Sequence, residues 1–248
     1  MQEQPLVSIV SLLYDVKKEY VDKCIDSLLK QTYQNIEIIF VDDCSPTIDY
    51  SYIIELSPKI KLVRNKTNLG FNRNSQKSFE LATGKYVVKV DSDDYIDPTL
   101  IEKEVTFLEN NPEYGAVCCE LKRFGDKSTH IGRPTIWSLE EALFKNMHRY
   151  GYEGGMMFKR ELLNEISVDP QFRVCTDFDF HLQILEHAPI KSIHEILYFY
   201  RSHESNIMKT ANKNHERINT VRKILEKHKR IYKQNHCKPV LIRKRKYF

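Results

Sequence analysis

The chain has 248 residues, 41% of them hydrophobic, and a net charge of +4 from 38 Lys and Arg against 34 Asp and Glu. That length accommodates one full hydrophobic core, and no stretch approaches the roughly eighteen consecutive apolar residues that a membrane-spanning helix needs. The charge is uneven: residues 211–248 hold 13 Lys and Arg against 2 Glu, a balance of +11, so residues 1–210 carry −7, which argues against a nucleic-acid-binding main domain.

The opening MQEQPLVSIV lacks the basic region and cleavage site of a signal peptide, so a cytoplasmic protein is expected. The six cysteines (24, 44, 118, 119, 175 and 237) form no CxxC pair, which fits reduced thiols packed as small hydrophobes. Leu6–Leu13 reads as a buried strand ending at Tyr14 and Asp15. Val21, Cys24, Ile25, Leu28 and Leu29 then share one helical face, and Ile36–Asp43 is a second strand that ends in acids. Strand, helix, strand predicts a right-handed βαβ unit with parallel strands. Its first turn has no glycine, which disfavours a dinucleotide fingerprint.

A short helix at Ile53–Leu56 and a strand at Ile60–Val63 follow. Asn68–Gly84 gives a loop with Gly70 and a helix stopped by Gly84. Tyr86–Val90 is then an apolar strand, interrupted by Lys89, that runs into Asp91, Asp93 and Asp94. Strand ends of an open α/β sheet line a crevice, and three crowded carboxylates there call for a positive charge among them. Asp97 and Pro98 open a helix to Glu109, Tyr114–Phe124 is a strand, and Ser138 with Glu141 forms a capping box for a helix to about Asn146. Gly154 and Gly155 precede an apolar run, Asp177 and Asp179 begin a helix within Phe172–Leu185, and Ile190–Tyr200 is a last strand leading to His203.

Three readings of the acidic turn compete with a cation-holding one. A solvated turn before a capped helix accounts for Asp97 and Pro98 and leaves the buried strand unexplained. An EF-hand loop fails, because Tyr95 and Ile96 stand where an oxygen ligand and glycine are required. A haloacid-dehalogenase-like phosphatase also places Asp-x-Asp after a strand, but continues with a small β-branched residue where this chain has Tyr95.

The ordered set SIVSLLYD, IEIIFVDDCS, NLGFNRNSQKSFELATGKYVVKVDSDD, YEGGMMFKR, CTDFDFHLQ and YFYRSHESN resembles the family 2 glycosyltransferases of the GT-A fold, over roughly residues 6–206. The resemblance implies a mostly parallel central sheet flanked by helices in a domain spanning 1–210, with a basic helical extension over 211–248. It implies an inverting sugar transfer from a nucleotide-diphosphate donor, by default a UDP-sugar, to a glycan or lipid-linked glycan in bacterial surface polysaccharide assembly. Tyr14, Asp15, Asp43, Arg73, Asp91 and Ser92 would bind the nucleotide-sugar; Asp91, Asp93 and His203 would hold Mn2+ or Mg2+; Asp177 would be the general base; Gly154 and Gly155 would face the acceptor. Two positions depart from the family pattern: Asp15 stands where asparagine is usual, and Thr176 where glutamate is. A non-catalytic nucleotide- or glycan-binding module on the same fold stays open beside this.

The tail places Ile218, Val221, Leu225, His228 and Tyr232 at helical spacing, with Lys and Arg on the other faces. It is compatible with a helix packed on the domain, a homodimer element, or a basic helix lying on anionic lipid at the cytoplasmic face of the inner membrane.

Overall fold

The central strands are short, nearly continuous apolar runs buried on both sides, and two helical layers cover both faces of the sheet they build. The structure, a computed structural model, describes residues 4–126, 128–144, 154–203 and 216–236. In chain order the elements are β1 (Val7–Leu13), α1 (Lys18–Leu29), β2 (Ile36–Asp42), β3 (Ile60–Arg64), α2 (Phe71–Glu80), β4 (Tyr86–Lys89), β5 (Tyr95–Ile96) and α3 (Leu100–Asn110). There follow β6 (Ala116–Gly125), β7 (Thr129–Ile131), β8 (Ile136–Trp137), α4 (Leu139–Phe144), β9 (Met156–Lys159), α5 (Thr176–His187), β10 (Ile190–Ser202) and α6 (Glu216–His236).

The sheet runs β3-β2-β1-β4-β9-β6-β10-β5, with β7 on β6 and β8 on β10. β1 pairs in parallel with β2 (Val7 opposite Ile36) and with β4 (Val7 opposite Tyr86). β9 enters antiparallel between β4 and β6, and β10 lies parallel to β6. The expected mostly parallel sheet flanked by helices is therefore present.

Side chains of period two divide the core. Val7, Ile9, Ile38, Phe40 and Val88 join Val21, Ile25 and Leu28 of α1 and Leu100 of α3 on one face. Val10, Ile39, Val41 and Val87 join Phe79 of α2, Phe180 of α5 and Ile224 of α6 on the other.

Some local expectations shift. The segment near Ile53 is a 3₁₀ turn, Ser51–Glu55. Asp97 does not cap α3 directly; its Oδ1 accepts from the backbone N and Oγ1 of Thr99, the helix beginning at Leu100. Ser138 does cap, with Oγ accepting from Glu141 N at 3.2 Å. The stretch from Asn146 to Glu153 lies outside the described residues, as do residues 204–215 and the RKRKYF ending.

Candidate functional site

The C-terminal ends of β1, β2 and β4 bring three acidic turns to one edge of the sheet, because the three strands are adjacent and parallel. At the end of β1, Tyr14 is 53% exposed. Asp15 takes a φ of +48°, a region that Asp and Asn tolerate best, and its Oδ1 accepts from the backbone N of Thr47 and Ile48. An asparagine oxygen could accept the same bonds, so the departure at this position leaves the loop geometry intact.

At the end of β2 the two aspartates have different surroundings. Asp42 is held by Arg64 at 2.8 Å and by Ser45. Asp43 is buried; its Oδ1 accepts from Asn65 Nδ2 and Leu69 N, both at 2.8 Å, and its Oδ2 from Gly70 N at 2.9 Å. It thereby fastens the loop that opens α2, on which Arg73 is exposed.

The third turn, Asp91–Asp94, has a separate partner for each carboxylate. Lys89 Nζ lies 3.2 Å from Asp91 Oδ1. His203 Nε2, just past β10, lies 2.8 Å from Asp93 Oδ2. Asp94 is fully buried and accepts from Tyr198 Oη at 2.7 Å and Arg201 N at 2.6 Å. Ser92 is buried, its hydroxyl donating to the carbonyl of Leu12 at 2.6 Å. Burial, and then the charge of Asp91, raises the Asp93 carboxyl above the usual range, although His203 opposes this. Burial followed by Asp93 and Asp91 raises Asp94 further. Among the described residues, no three His, Cys, Asp or Glu side chains converge as a ready metal cage. Asp91 leans instead toward Lys89, and Asp93 toward His203.

The close approach that Gly154 and Gly155 allow in this structure is to Tyr198. A Cβ on Gly154 would lie 2.6 Å from two Tyr198 ring atoms, and Gly155 has a φ of +68°. Tyr198 Oη in turn accepts from Asp91 N at 3.2 Å, so the glycine pair seats the ring that orders the acidic turn. Gly154→Ala is expected to destabilise the fold by roughly 1–3 kcal/mol through this overlap. A urea midpoint equal to that of the unmodified chain would show that the ring can yield.

Asp177 and Asp179 separate in space although both stand in the first turn of α5. Asp177 is half-buried, its Oδ1 accepting from Phe178 N at 2.8 Å. Phe178 and Phe180 turn into the core, where Phe180 stacks on Phe79 at 5.2 Å. Asp179 is 1% exposed and binds α6: His228 Nε2 lies 2.8 Å and Lys227 Nζ 2.9 Å from its Oδ1. The other ring nitrogen of His228 is 2.6 Å from Glu186. Val221 and Ile224 complete the packed face of α6, while Ile218 is 52% exposed.

His181 follows Asp177 by four residues and so lies about 6 Å along the same helical face. Its ring is buried without a hydrogen-bond partner among the described residues. Burial, then the charges of Arg133 and Lys89, push its pKa down to about 3, so it is neutral. It shares with Lys89 a cavity of about 10 Å³ that Phe79, Met156, Phe158 and Phe180 also line. Sequence reading gave no role to Tyr198, Arg201 and His181, although all three stand inside the quoted motifs, nor to the α6 partners of Asp179; Lys89, a charge inside an apolar strand, was a further signal.

A family model described as glycosyl transferase family 2 matches residues 8–167. A Haemophilus influenzae protein named as an uncharacterized glycosyltransferase is 29% identical, over 90% of this chain and 73% of its own. Bacillus subtilis EpsJ, also an uncharacterized glycosyltransferase, is 28% identical over 82% of this chain and 63% of its own. Among solved structures, S. aureus TarS in complex with UDP-GlcNAc superposes with a TM-score of 0.71 at 21% identity, covering 83% of this chain. The mannosyltransferase PcManGT from Pyrobaculum calidifontis, in complex with GDP-Man and Mn2+, superposes with a TM-score of 0.68 at 18% identity, covering 88%. At such identities the likeness is one of fold, and this chain spans 61% and 63% of those two chains.

Proposed function

The chain belongs to glycosyl transferase family 2, and from that membership we propose that it moves a sugar from a nucleotide-diphosphate donor to an acceptor hydroxyl, with inversion at the anomeric carbon. The observation that carries this reading is the Asp91–Asp94 turn at the end of β4, beside the ends of β1 and β2. Two of its carboxylates are partly exposed there and the third is tied down from behind.

On this reading Tyr14, Asp15, Asp43 and Arg73 bind the nucleotide, and Asp91 with Ser92 receives the diphosphate side, Ser92 through its backbone because its hydroxyl is engaged. Asp91, Asp93 and His203 offer two carboxylates and an imidazole, a donor set that suits Mn2+ and, less well, Mg2+. Such a cation would offset the charge growing on the departing diphosphate. Asp177 takes the proton of the attacking hydroxyl, a task for one carboxylate held at hydrogen-bonding distance. Gly154 and Gly155 border the acceptor side through the Tyr198 ring.

The finer proposals are a UDP-sugar donor and a glycan or lipid-linked acceptor in surface polysaccharide assembly. Residues 1–210 would act as the catalytic unit in the cytoplasm, with 211–248 docked on it. No helix among the described residues is long and apolar enough to cross a membrane. Contact with anionic lipid or a second copy is left to the basic faces of the extension, since α6 commits its apolar face to α5.

Thermal unfolding with UDP, GDP, dTDP and CDP, each with and without Mn2+, tests the donor site. A matching nucleotide at about 100 times its dissociation constant should add about 2.7 kcal/mol, or several degrees at this size. The gain should require Mn2+ and vanish in the double variant Asp91→Ala, Asp93→Ala. A panel in which no nucleotide raises the transition would overturn the reading and favour a phosphatase or a binding module.

A further inference from the structure

Crowded carboxylates need positive charge nearby, and here the chain supplies some of its own. Lys89 sits on β4, hydrogen-bonded between β1 and β9, so its backbone cannot shift without opening the sheet. Its side chain is 4% exposed, with the ammonium 3.2 Å from Asp91 Oδ1 and 4.4 Å from the centre of the Phe71 ring. Beyond it lies the small cavity walled by Phe79, Met156, Phe158, Phe180 and the neutral ring of His181. The ammonium thus lies against the Phe71 ring on one side and the Asp91 carboxylate on another, and that carboxylate is the first of the two proposed for a cation.

Resting on the metal-dependent donor reading above, we infer that Lys89 is a built-in competitor for the cation at Asp91. A divalent ion bound to Asp91 would lie within a few ångströms of the ammonium, where like charges repel strongly outside bulk water. Mn2+ alone thus binds weakly to the nucleotide-free protein. A nucleoside diphosphate brings enough negative charge to offset both cations, so metal and nucleotide enter together. Lys89 is a positioning residue in this scheme: it holds the Asp91 carboxylate in place while metal is absent, and it couples metal entry to the donor.

The test is the dissociation constant of Mn2+, read from the electron paramagnetic resonance of free Mn2+, with and without UDP or GDP. Lys89→Met removes the charge and keeps the unbranched stem, and Asp91, 37% exposed, stays in contact with water. Without nucleotide, K89M should bind Mn2+ about tenfold more tightly than the unmodified chain, and nucleotide should add correspondingly less. Lys89→Arg should behave as the unmodified chain, and adding Asp91→Asn to K89M should abolish the gain. An unchanged or weaker Mn2+ affinity in K89M overturns the inference; if K89M does not fold, Lys89→Gln carries the same expectation, and an unchanged or weaker affinity there overturns it equally. Failure of UDP and GDP to recruit Mn2+ to the unmodified chain would instead sink the metal-dependent donor reading, whatever K89M does.

Discussion

Asp177→Asn is expected to lower sugar transfer by roughly 10²–10⁴-fold, the range a positioned general base contributes, while leaving nucleotide-dependent stabilisation in place. The substitution is nearly isosteric, and an asparagine Oδ1 can accept the bond from Phe178 N that the carboxylate accepts now. The side chain is half-buried rather than enclosed, so little stability should be lost. What disappears is the capacity to hold a proton taken from the acceptor. Initial rates with a screened donor and acceptor, set beside thermal shifts with nucleotide, separate the two effects. Transfer within about threefold of the unmodified chain would move the base to another residue, well short of what general-base loss predicts. Loss of nucleotide binding together with rate would make Asp177 a donor-site residue.

The second large effect concerns the union of α5 with α6. His228→Ala should destabilise the protein by about 1–3 kcal/mol, because it takes one hydrogen-bonding partner from the buried Asp179 carboxylate and leaves Lys227 Nζ, 2.9 Å away, to hold it. Replacing Asp179 and His228 together by apolar residues of similar volume should recover much of that loss.

The pH dependence follows from both partners. Burial alone would lower the His228 pKa, but hydrogen bonds to Asp179 and Glu186 outweigh it and leave the value above the ordinary 6.5. A raised histidine pKa contributes stability that is fully present below the unfolded value and is lost as pH rises through the folded one. Burial would raise Asp179, yet His228 and Lys227 hold it below its ordinary value of 3.8, so its contribution is lost only as pH falls through the acid range. The union should thus be strongest between those limits. Urea midpoints for the unmodified chain and H228Q should differ most near about pH 6 and converge toward about pH 9. A gap that is constant across that range would mean that His228 acts by packing alone. Because α5 also carries Asp177, loosening α6 should reach the site as well as the fold.

Local chemistry made much of this protein legible in advance. Short, nearly continuous apolar runs in 7–13, 36–42 and 86–89, each leading into acids, state both the buried strands and the edge at which the acids gather, since such a run needs only its own residues. Ser138 announced its helix start for the same reason, and the ordered motifs were enough to indicate the family. Elements defined by distant partners were not legible. β9 enters antiparallel between β4 and β6, and the two-residue strands β5 and β8 exist only through their pairing with β10.

The site divides along the same line. Asp177 and Asp179 are equivalent in sequence, but residues two apart on a helix face different ways, and His228, 49 positions downstream, decides which one is buried. Gly154 and Gly155 look like any turn until the Tyr198 ring lies against them. Acids at the ends of strands were a property of the sequence; which side chain each carboxylate meets, Lys89, His203 or His228, was decided by tertiary structure, because hydrogen bonds and Coulomb energy depend on separation in space and not along the chain.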